Sequence, residues 1–538
     1  MPRHRPPRNI GLFFDWHAES PRQTIVHLDR PFDVAPDSGV HYDAAALART
    51  VREISGWLHA AGLGRGDRVA IVKQNHFDIM LIAAASARLG ALPAMIAENT
   101  SLESLSTMLG RIEPRVLVAS TRLLTRAATD GHRLADSTVR VVALGPPLAE
   151  PAPNVVVLDD LRNVAEPPLQ IRSDSEPMTI THTSGTTGVP KLVVHSADTI
   201  RAKSRAELIR YPIFGPKHTD TVASAIAYNH ARILSYTAGQ ITMAPRSVVV
   251  ITDPSPENTV RMLTEHRPTL LEASPNIYLR WEELTETHPE LFANVRLYAG
   301  TFDVIHPRTV RKFLAASRRR MPVWGQSWGQ SEVGPICATM FTRRGVRARS
   351  DATAATTVIG WPFPGLVRVR VVDSQTGRKQ ARGTQGLLMV SSPSLCLTYL
   401  AEADRHRMKI SGEWWNTGDL GVRGWFGRLR LIDREVDEIP GASSVDLESV
   451  LLDRLAGASE VTVLGVPGRP PVPVVCMDND RLDPADWQRA IRGLPELDEP
   501  LLVPWDRIPR TATWKVRRLD LREQVLGTKE KLGSGRWT

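Results

Sequence analysis

Apolar residues along the first hundred positions alternate between two periods. Leu47, Val51, Ile54 and Leu58 recur at helical spacing behind Asp43, whose short carboxylate suits a helix cap. Gly64-Arg65-Gly66-Asp67 interrupts that pattern, and Val69-Ala70-Ile71-Val72 is a continuous apolar run of strand length. A second apolar helix is expected from Ile79 to Leu89, ending at Gly90. Strand runs recur at 141–144, 155–158, 178–183 and 248–251, the last followed by a helical stretch from Glu257 to Glu265. Helix and strand in this alternation predict an α/β layered domain. The pattern changes near 420–440, where the strand Arg428–Ile432 gives way to the charged segment Asp433-Arg434-Glu435-Val436-Asp437-Glu438. Beyond it, a helix at 447–455 and strands at 461–466 and 472–477 predict a separate small α+β domain. The expected division is 1–433 and 434–538, with a linker at 433–437.

Composition narrows this only slightly. At 538 residues, the chain exceeds what one ordinary core accommodates. The three cysteines, Cys337, Cys396 and Cys476, are widely spaced, which argues against a disulfide framework or a structural zinc site. With no apolar run at the N-terminus and no stretch of about 18 apolar residues, neither a signal peptide nor a membrane span is expected. A reducing, cytoplasmic setting fits. The net charge is +9, with basic runs at Arg318–Arg320 and Arg343–Arg349. No nucleic-acid motif accompanies them, so a solvated face is expected, with a field favouring small anions such as ATP.

The candidate chemistry begins at Thr183-Ser184-Gly185-Thr186-Thr187-Gly188-Val189-Pro190-Lys191, which follows the strand run 178–183. Glycines let backbone N–H groups approach a phosphate, while the hydroxyls and Lys191 add donors and a cation. It is not a Walker loop, because two residues separate Gly188 from Lys191 and Leu192 follows the lysine. The string resembles the phosphate loop of the superfamily of acyl-CoA synthetases, peptide-synthetase adenylation domains and luciferases. Trp328-Gly329-Gln330-Ser331-Glu332 is similar to that family's Tyr-Gly-x-Thr-Glu motif, and Trp415-Asn416-Thr417-Gly418-Asp419 to its Thr-Gly-Asp motif. Arg434 matches the arginine before the family's hinge. Pro509-Arg510-Thr511-Ala512-Thr513-Trp514-Lys515 resembles its C-terminal Pro-Arg-Thr-x-x-Gly-Lys motif.

The resemblance implies a large N-terminal domain of several layered subdomains, the third β-rich and carrying Gly360–Gly365 and Gly383–Gly386. A small mobile C-terminal domain would complete it. It implies ATP-dependent formation of an acyl-adenylate and pyrophosphate. Lys515, Glu332 and His230 would be catalytic, with Glu332 holding Mg2+. Thr183 to Gly188, Lys191 and Ser331 would meet the phosphates. Gly300, Thr301, Phe302, Trp328, Asp419 and Arg434 would hold adenosine, with Asp419 on the ribose. Asn229, His230, Arg232 and Ser327 would line the substrate pocket. Because Lys515 and the phosphate loop fall in different domains, the site is expected to close by domain rotation.

The chain departs from the family in places. Val436 stands where the hinge carries Asp or Lys, and Ile439-Pro440-Gly441-Ala442-Ser443-Ser444 is about two residues short. Trp514 replaces the glycine beside the lysine. These departures weaken the case for CoA as acceptor without excluding it; a carrier protein is a further alternative. Arg232 either points inward, requiring a polar or anionic partner, or turns to the surface. The first expectation is a small aromatic or polar carboxylate passed to a thiol or amine. The alternative is nitrite, activated with ATP for reaction with an aromatic amine as some enzymes resembling this family do. Lesser alternatives are a non-catalytic nucleotide-binding homologue and a serine hydrolase, the latter because Gly325-Gln326-Ser327-Trp328-Gly329 has the GxSxG form.

Overall fold

A computed structural model describes residues 6–148, 153–183, 189–208, 215–346, 354–435, 439, 442–511 and 513–528, without the side chain of Glu207. The chain divides into two compact units, one of residues 1–266, 331–334 and 393–407, the other of 267–330, 335–392 and 408–538.

In the first unit, the helix Ala44–Ala60 starts where Asp43 accepts the Ala46 N–H at 2.6 Å, and it buries Leu47, Val51, Ile54 and Leu58. The helix Asp78–Arg88 is buried all round: Ile79–Ala85 is apolar, and Asp78 and Arg88 at its ends are paired with Lys73 and with Asp15 and Glu166. The strand Arg68–Lys73 lies between Leu92–Ala97 and Val116–Ser120, parallel to both. Both its faces are covered, which explains its unbroken apolar run. These strands belong to an eight-stranded sheet of order 398–399, 192–196, 177–182, 92–97, 68–73, 116–120, 140–144, 155–157. Strands 177–182 and 192–196 form an antiparallel hairpin within that largely parallel sheet, with His182 opposite Leu192. A second set of parallel strands in this unit, 221–225, 247–250 and 25–28, ends on the short antiparallel strand 41–42.

In the second unit, strands 270–273, 297–300 and 323–330 are parallel. The strands that follow in spatial order, 334–341, 358–362, 429–434, 414–423, 385–391 and 368–372, give the expected β-rich subdomain. A three-stranded sheet of 458–464, 472–477 and 501–502 packs with the helix Ser444–Arg454 around Leu451, Val461 and Val475. That helix begins three residues earlier than its apolar pattern indicated, because Ser443 caps it by accepting the Asp446 N–H. The strand expected at 461–466 runs from Ala458 to Leu464. The cysteines are free and buried. Among the described residues, no helix is long and apolar enough to cross a membrane.

Candidate active site

Thr183 and Lys191, the first and last residues of the phosphate-loop sequence, directly follow and precede the paired strands Pro177–His182 and Leu192–Ser196. The two are joined by the Thr183 N–H donating to the Lys191 carbonyl at 3.1 Å and the Lys191 N–H donating to Thr183 Oγ1, also at 3.1 Å. Ser184, Gly185, Thr186, Thr187 and Gly188 lie outside the described residues. His182 accepts the Ala97 N–H on Nε2 at 3.3 Å, so its Nδ1 carries the proton and donates to the Thr183 carbonyl at 2.8 Å. Burial pushes that imidazole further toward neutrality. The Lys191 ammonium stands 5.6 Å from the centre of the Tyr399 ring.

Tyr399 connects this lysine to Glu332. Its phenol donates to Glu332 Oε1 at 2.6 Å, and burial beside that carboxylate raises its pKa far above the ordinary phenol value. Tyr399 therefore stays a neutral donor. The Cys396 N–H donates to the Glu332 carbonyl at 2.8 Å, and Ser394 Oγ to the Val333 carbonyl at 2.6 Å. On the preceding residue, Ser331 Oγ lies 3.0 Å from His230 Nε2. The Arg232 N–H donates to His230 Nδ1 at 3.1 Å, which assigns the proton to Nε2 and makes Ser331 Oγ the acceptor. The serine hydroxyl hydrogen is then available for another oxygen.

The segment before His230 is held by Asn75. Its Nδ2 donates to the Ile226 carbonyl at 2.9 Å, and its Oδ1 accepts the Tyr228 N–H at 2.7 Å. Asn229 is buried, and its Oδ1 has no hydrogen-bond partner among the described residues. Arg232 opens the helix Arg232–Met243, half-buried, its guanidinium 5.4 Å from the centre of the buried Tyr236 ring.

In the second unit, Gln330 joins Trp415, Thr417 and Asp419. The assigned amide accepts from Trp415 Nε1 at 3.2 Å and donates to the Thr417 carbonyl at 2.8 Å and to Asp419 Oδ2 at 3.0 Å. Arg434 lies 3.5 Å from Asp419 Oδ1. Burial raises the Asp419 pKa, and Arg434, Lys409 and Lys515 act against that rise. An aspartate so held, with its charge partly compensated, suits acceptance of a diol's hydroxyls.

Lys515 is placed by a tight turn. Its N–H donates to Thr511 Oγ1 at 3.2 Å, and the Thr511 N–H donates to the Lys515 carbonyl at 2.9 Å. Its ammonium is 3.9 Å from Asp303. Trp514 has φ +65°, the left-handed region, at the position where the family motif has glycine. The Asn276 amide donates to its carbonyl, and its ring stacks on Trp505 at 5.8 Å.

In the expected adenine segment, Thr301 Oγ1 donates to Glu272 at 3.3 Å and Phe302 has φ +83°. Gly300 is packed against the Trp324 indole, where a Cβ would lie 3.2 Å away. Trp328 lies half-buried in the strand Val323–Gln330. Ser327 is in the middle of the same strand and donates to the Cys337 carbonyl at 3.2 Å. A nucleophile elbow needs a strand-to-helix turn, so the hydrolase alternative loses its geometric basis.

Comparison with known proteins then decides the family. Residues 13–400 match the AMP-binding enzyme family. The chain belongs to the AMP-binding enzyme family. It is an adenylate-forming ligase whose kin use ATP and small-molecule substrates. A 3-amino-2-hydroxy-4-methoxybenzoate diazotase from Streptomyces cremeus is 35% identical over 97% of this chain and 96% of its own length. An anthranilate–CoA ligase from Pseudomonas aeruginosa is 27% identical over 75% of both chains. The crystal structure of ATP-bound MatB from Rhodopseudomonas palustris shares the fold, with TM-score 0.76 at 21% identity over 96% of this chain and 98% of that one.

The family motifs led to Glu332, Asp419 and Lys515. Tyr399, Asn75 and Gln330's hydrogen bonds were not foreseen, because their partners lie 67, 153 and 89 positions away. No local pattern marks them.

Proposed function

We propose that this AMP-binding enzyme is an ATP-dependent diazotase that activates nitrite and delivers it to an aromatic amine bearing a carboxylate. The observation that carries the proposal is the 35% identity, over nearly the whole chain, to a protein named as an aminobenzoate diazotase. A nitrite oxygen would form a bond to the α-phosphorus while the bond to the bridging oxygen breaks and pyrophosphate leaves. The amine nitrogen then attacks the nitrogen of the mixed anhydride, AMP leaves, and loss of water gives the diazonium ion. The change in oxidation state is internal, the nitrite nitrogen being reduced as the amine nitrogen is oxidised when the N–N bond forms, so no external oxidant or reductant is needed.

Thr183, Lys191 and Ser331 would hold phosphate oxygens, together with Ser184 to Gly188. Asp419 and Arg434 would hold the ribose, with Gly300, Thr301, Phe302 and Trp328 along the adenine. His230, Asn229, Arg232 and Ser327 would line the substrate pocket. Lys515 would neutralise charge where the anion meets the α-phosphate, after the small domain proposed for 434–538 closes. Glu332 fits Mg2+ as a hard carboxylate donor. No cluster of three or more such groups arranged for a metal exists among the described residues, which suits an ion that keeps phosphate and water ligands. When bound, Mg2+ would offset charge on the departing pyrophosphate.

A second reading, activation of an aromatic carboxylate for CoA or an amine, is favoured by the 27% identity to an anthranilate–CoA ligase. The test is AMP release with nitrite plus 3-amino-2-hydroxybenzoate or 3-aminobenzoate, against anthranilate or benzoate plus CoA. We expect AMP and a diazonium product, trapped as an azo dye, only with nitrite and amine together. AMP and acyl-CoA formation without nitrite would overturn the diazotase reading and leave the second one standing.

A further inference from the structure

The helix Ala197–Leu208 carries a lysine that the motifs leave unused. Lys203 is 2% exposed. Its Nζ donates to the Ser331 carbonyl at 2.6 Å and lies 3.2 Å from His195 Nδ1. The ammonium has only donors, so that imidazole nitrogen is the acceptor. Its Nε2–H then points to Thr181 Oγ1, 3.2 Å away in the strand leading to the phosphate loop. The backbone is shaped to the lysine as well. Gly334 has φ +79°, and a Cβ there would come within 2.7 Å of Lys203 Cγ.

A buried ammonium is costly unless a carboxylate pairs with it directly. Among the described residues, none lies within ion-pair distance of Lys203. Glu332 and the Cys396 thiol are its nearest acidic neighbours electrostatically, and they act against desolvation, which lowers the ammonium pKa to about 8. The charge nevertheless reaches the Ser331–Glu332 segment, which Ser394, Cys396 and Tyr399 also hold.

We propose that Lys203 is a positioning residue for adenylation: clamped by His195, its ammonium fixes the Ser331 backbone and thereby aims Ser331 Oγ and the Glu332 carboxylate at the nucleotide. This rests on the roles given above to Ser331 and Glu332. Lys203 itself touches neither substrate nor metal. The arrangement links the strand Pro177–His182, through Thr181 and His195, to the Ser331–Glu332 turn, so the strand leading into the phosphate loop and Glu332 share one support.

The test is ATP–pyrophosphate exchange, with nitrite and in parallel with anthranilate, on Lys203→Met, which keeps the stem and removes the charge. We expect kcat to fall about 100-fold with the KM for ATP within about 3-fold, the signature of misaimed transition-state contacts. The melting temperature should hold or rise, since a buried unpaired charge is gone. A kcat within 3-fold of the parent overturns the proposal, as does a loss matched by a lower melting temperature, which would mark Lys203 as structural. Should Lys203→Met not fold, His195→Leu leaves the lysine but removes its side-chain acceptor. That variant should lose about 10-fold in kcat at unchanged KM, and parental kcat there overturns the proposal. Glu332→Gln separates the two levels. If it keeps parental kcat, the reading of the site fails; if it is inactive while Lys203→Met is active, only the lysine proposal fails.

Discussion

At the scale of single residues, unfavourable features collect around the motif positions. Trp514 occupies a left-handed backbone conformation at φ +65°, which costs a bulky residue about 1–2 kcal/mol. The Asn276 hydrogen bond and the stack on Trp505 hold it there, next to Lys515. Asp419 is similar in kind: burial raises its pKa, yet Gln330, Arg434 and the Thr417 hydroxyl all orient it. A buried carboxylate oriented by so many partners is expected to bind something. Asp419→Asn preserves shape and removes a group whose charged form burial disfavours, so stability should be unchanged or higher. The KM for ATP should rise at least about 10-fold, since charge-assisted hydrogen bonds to the ribose contribute roughly 1.5–3 kcal/mol. An unchanged KM would remove Asp419 from the nucleotide site. This effect on KM contrasts with the effect on kcat expected for Lys203.

At the scale of elements, the outcome turns on what each segment packs against. The run Val69–Val72 and the stretch Ile79–Ala85 of the helix Asp78–Arg88 were legible because both are covered on every side and their sequences are accordingly apolar. The helix Ser444–Arg454 was legible in its body but not its start, where a side-chain cap rather than an apolar residue sets the boundary. The β-rich subdomain contains a strand, Val358–Pro362, whose register shifts between Val358 and Gly360. Gly360 has φ +85°, and a Cβ there would collide with the Ala338 carbonyl. Gly360→Ala adds left-handed strain to a backbone clash and should cost about 3 kcal/mol. A denaturant titration showing a loss below about 1 kcal/mol would mean the bulge relaxes freely.

At the scale of the whole molecule, pH dependence follows from imidazoles buried in neutral form. His17 and His76 are 2% and 0% exposed, and burial lowers each from 6.5 to about 4. Each ring accepts a backbone N–H, His17 from Thr24 and His76 from Phe77, and protonation would break those bonds. The unfolded chain binds protons near 6.5 and the folded one near 4, so their contribution is complete above 6.5 and is lost as pH falls toward 4. At pH 5 that loss is about 2 kcal/mol for each ring. Asp446 and Glu448, whose pKa values are raised by burial, act in the opposite sense on acidification. The two histidines should prevail in the window from 6.5 to 5, and the guanidinium midpoint should drop between pH 7.5 and 5. An unchanged midpoint would mean that the two rings titrate in the folded protein as they do in the unfolded chain.

The sequence by itself determined the family and the order of most elements, and its motifs singled out Glu332, Asp419 and Lys515 as candidates. Helical and strand periodicity are local properties, and short motifs keep chemical residues at fixed offsets. Only the tertiary structure decided what supports those residues. Lys203 meets the Ser331 carbonyl across 128 positions, Gln330 meets Asp419 across 89, and Tyr399 meets Glu332 across 67. Contacts of that separation form because the chain is brought back on itself by packing, and no local periodicity records them.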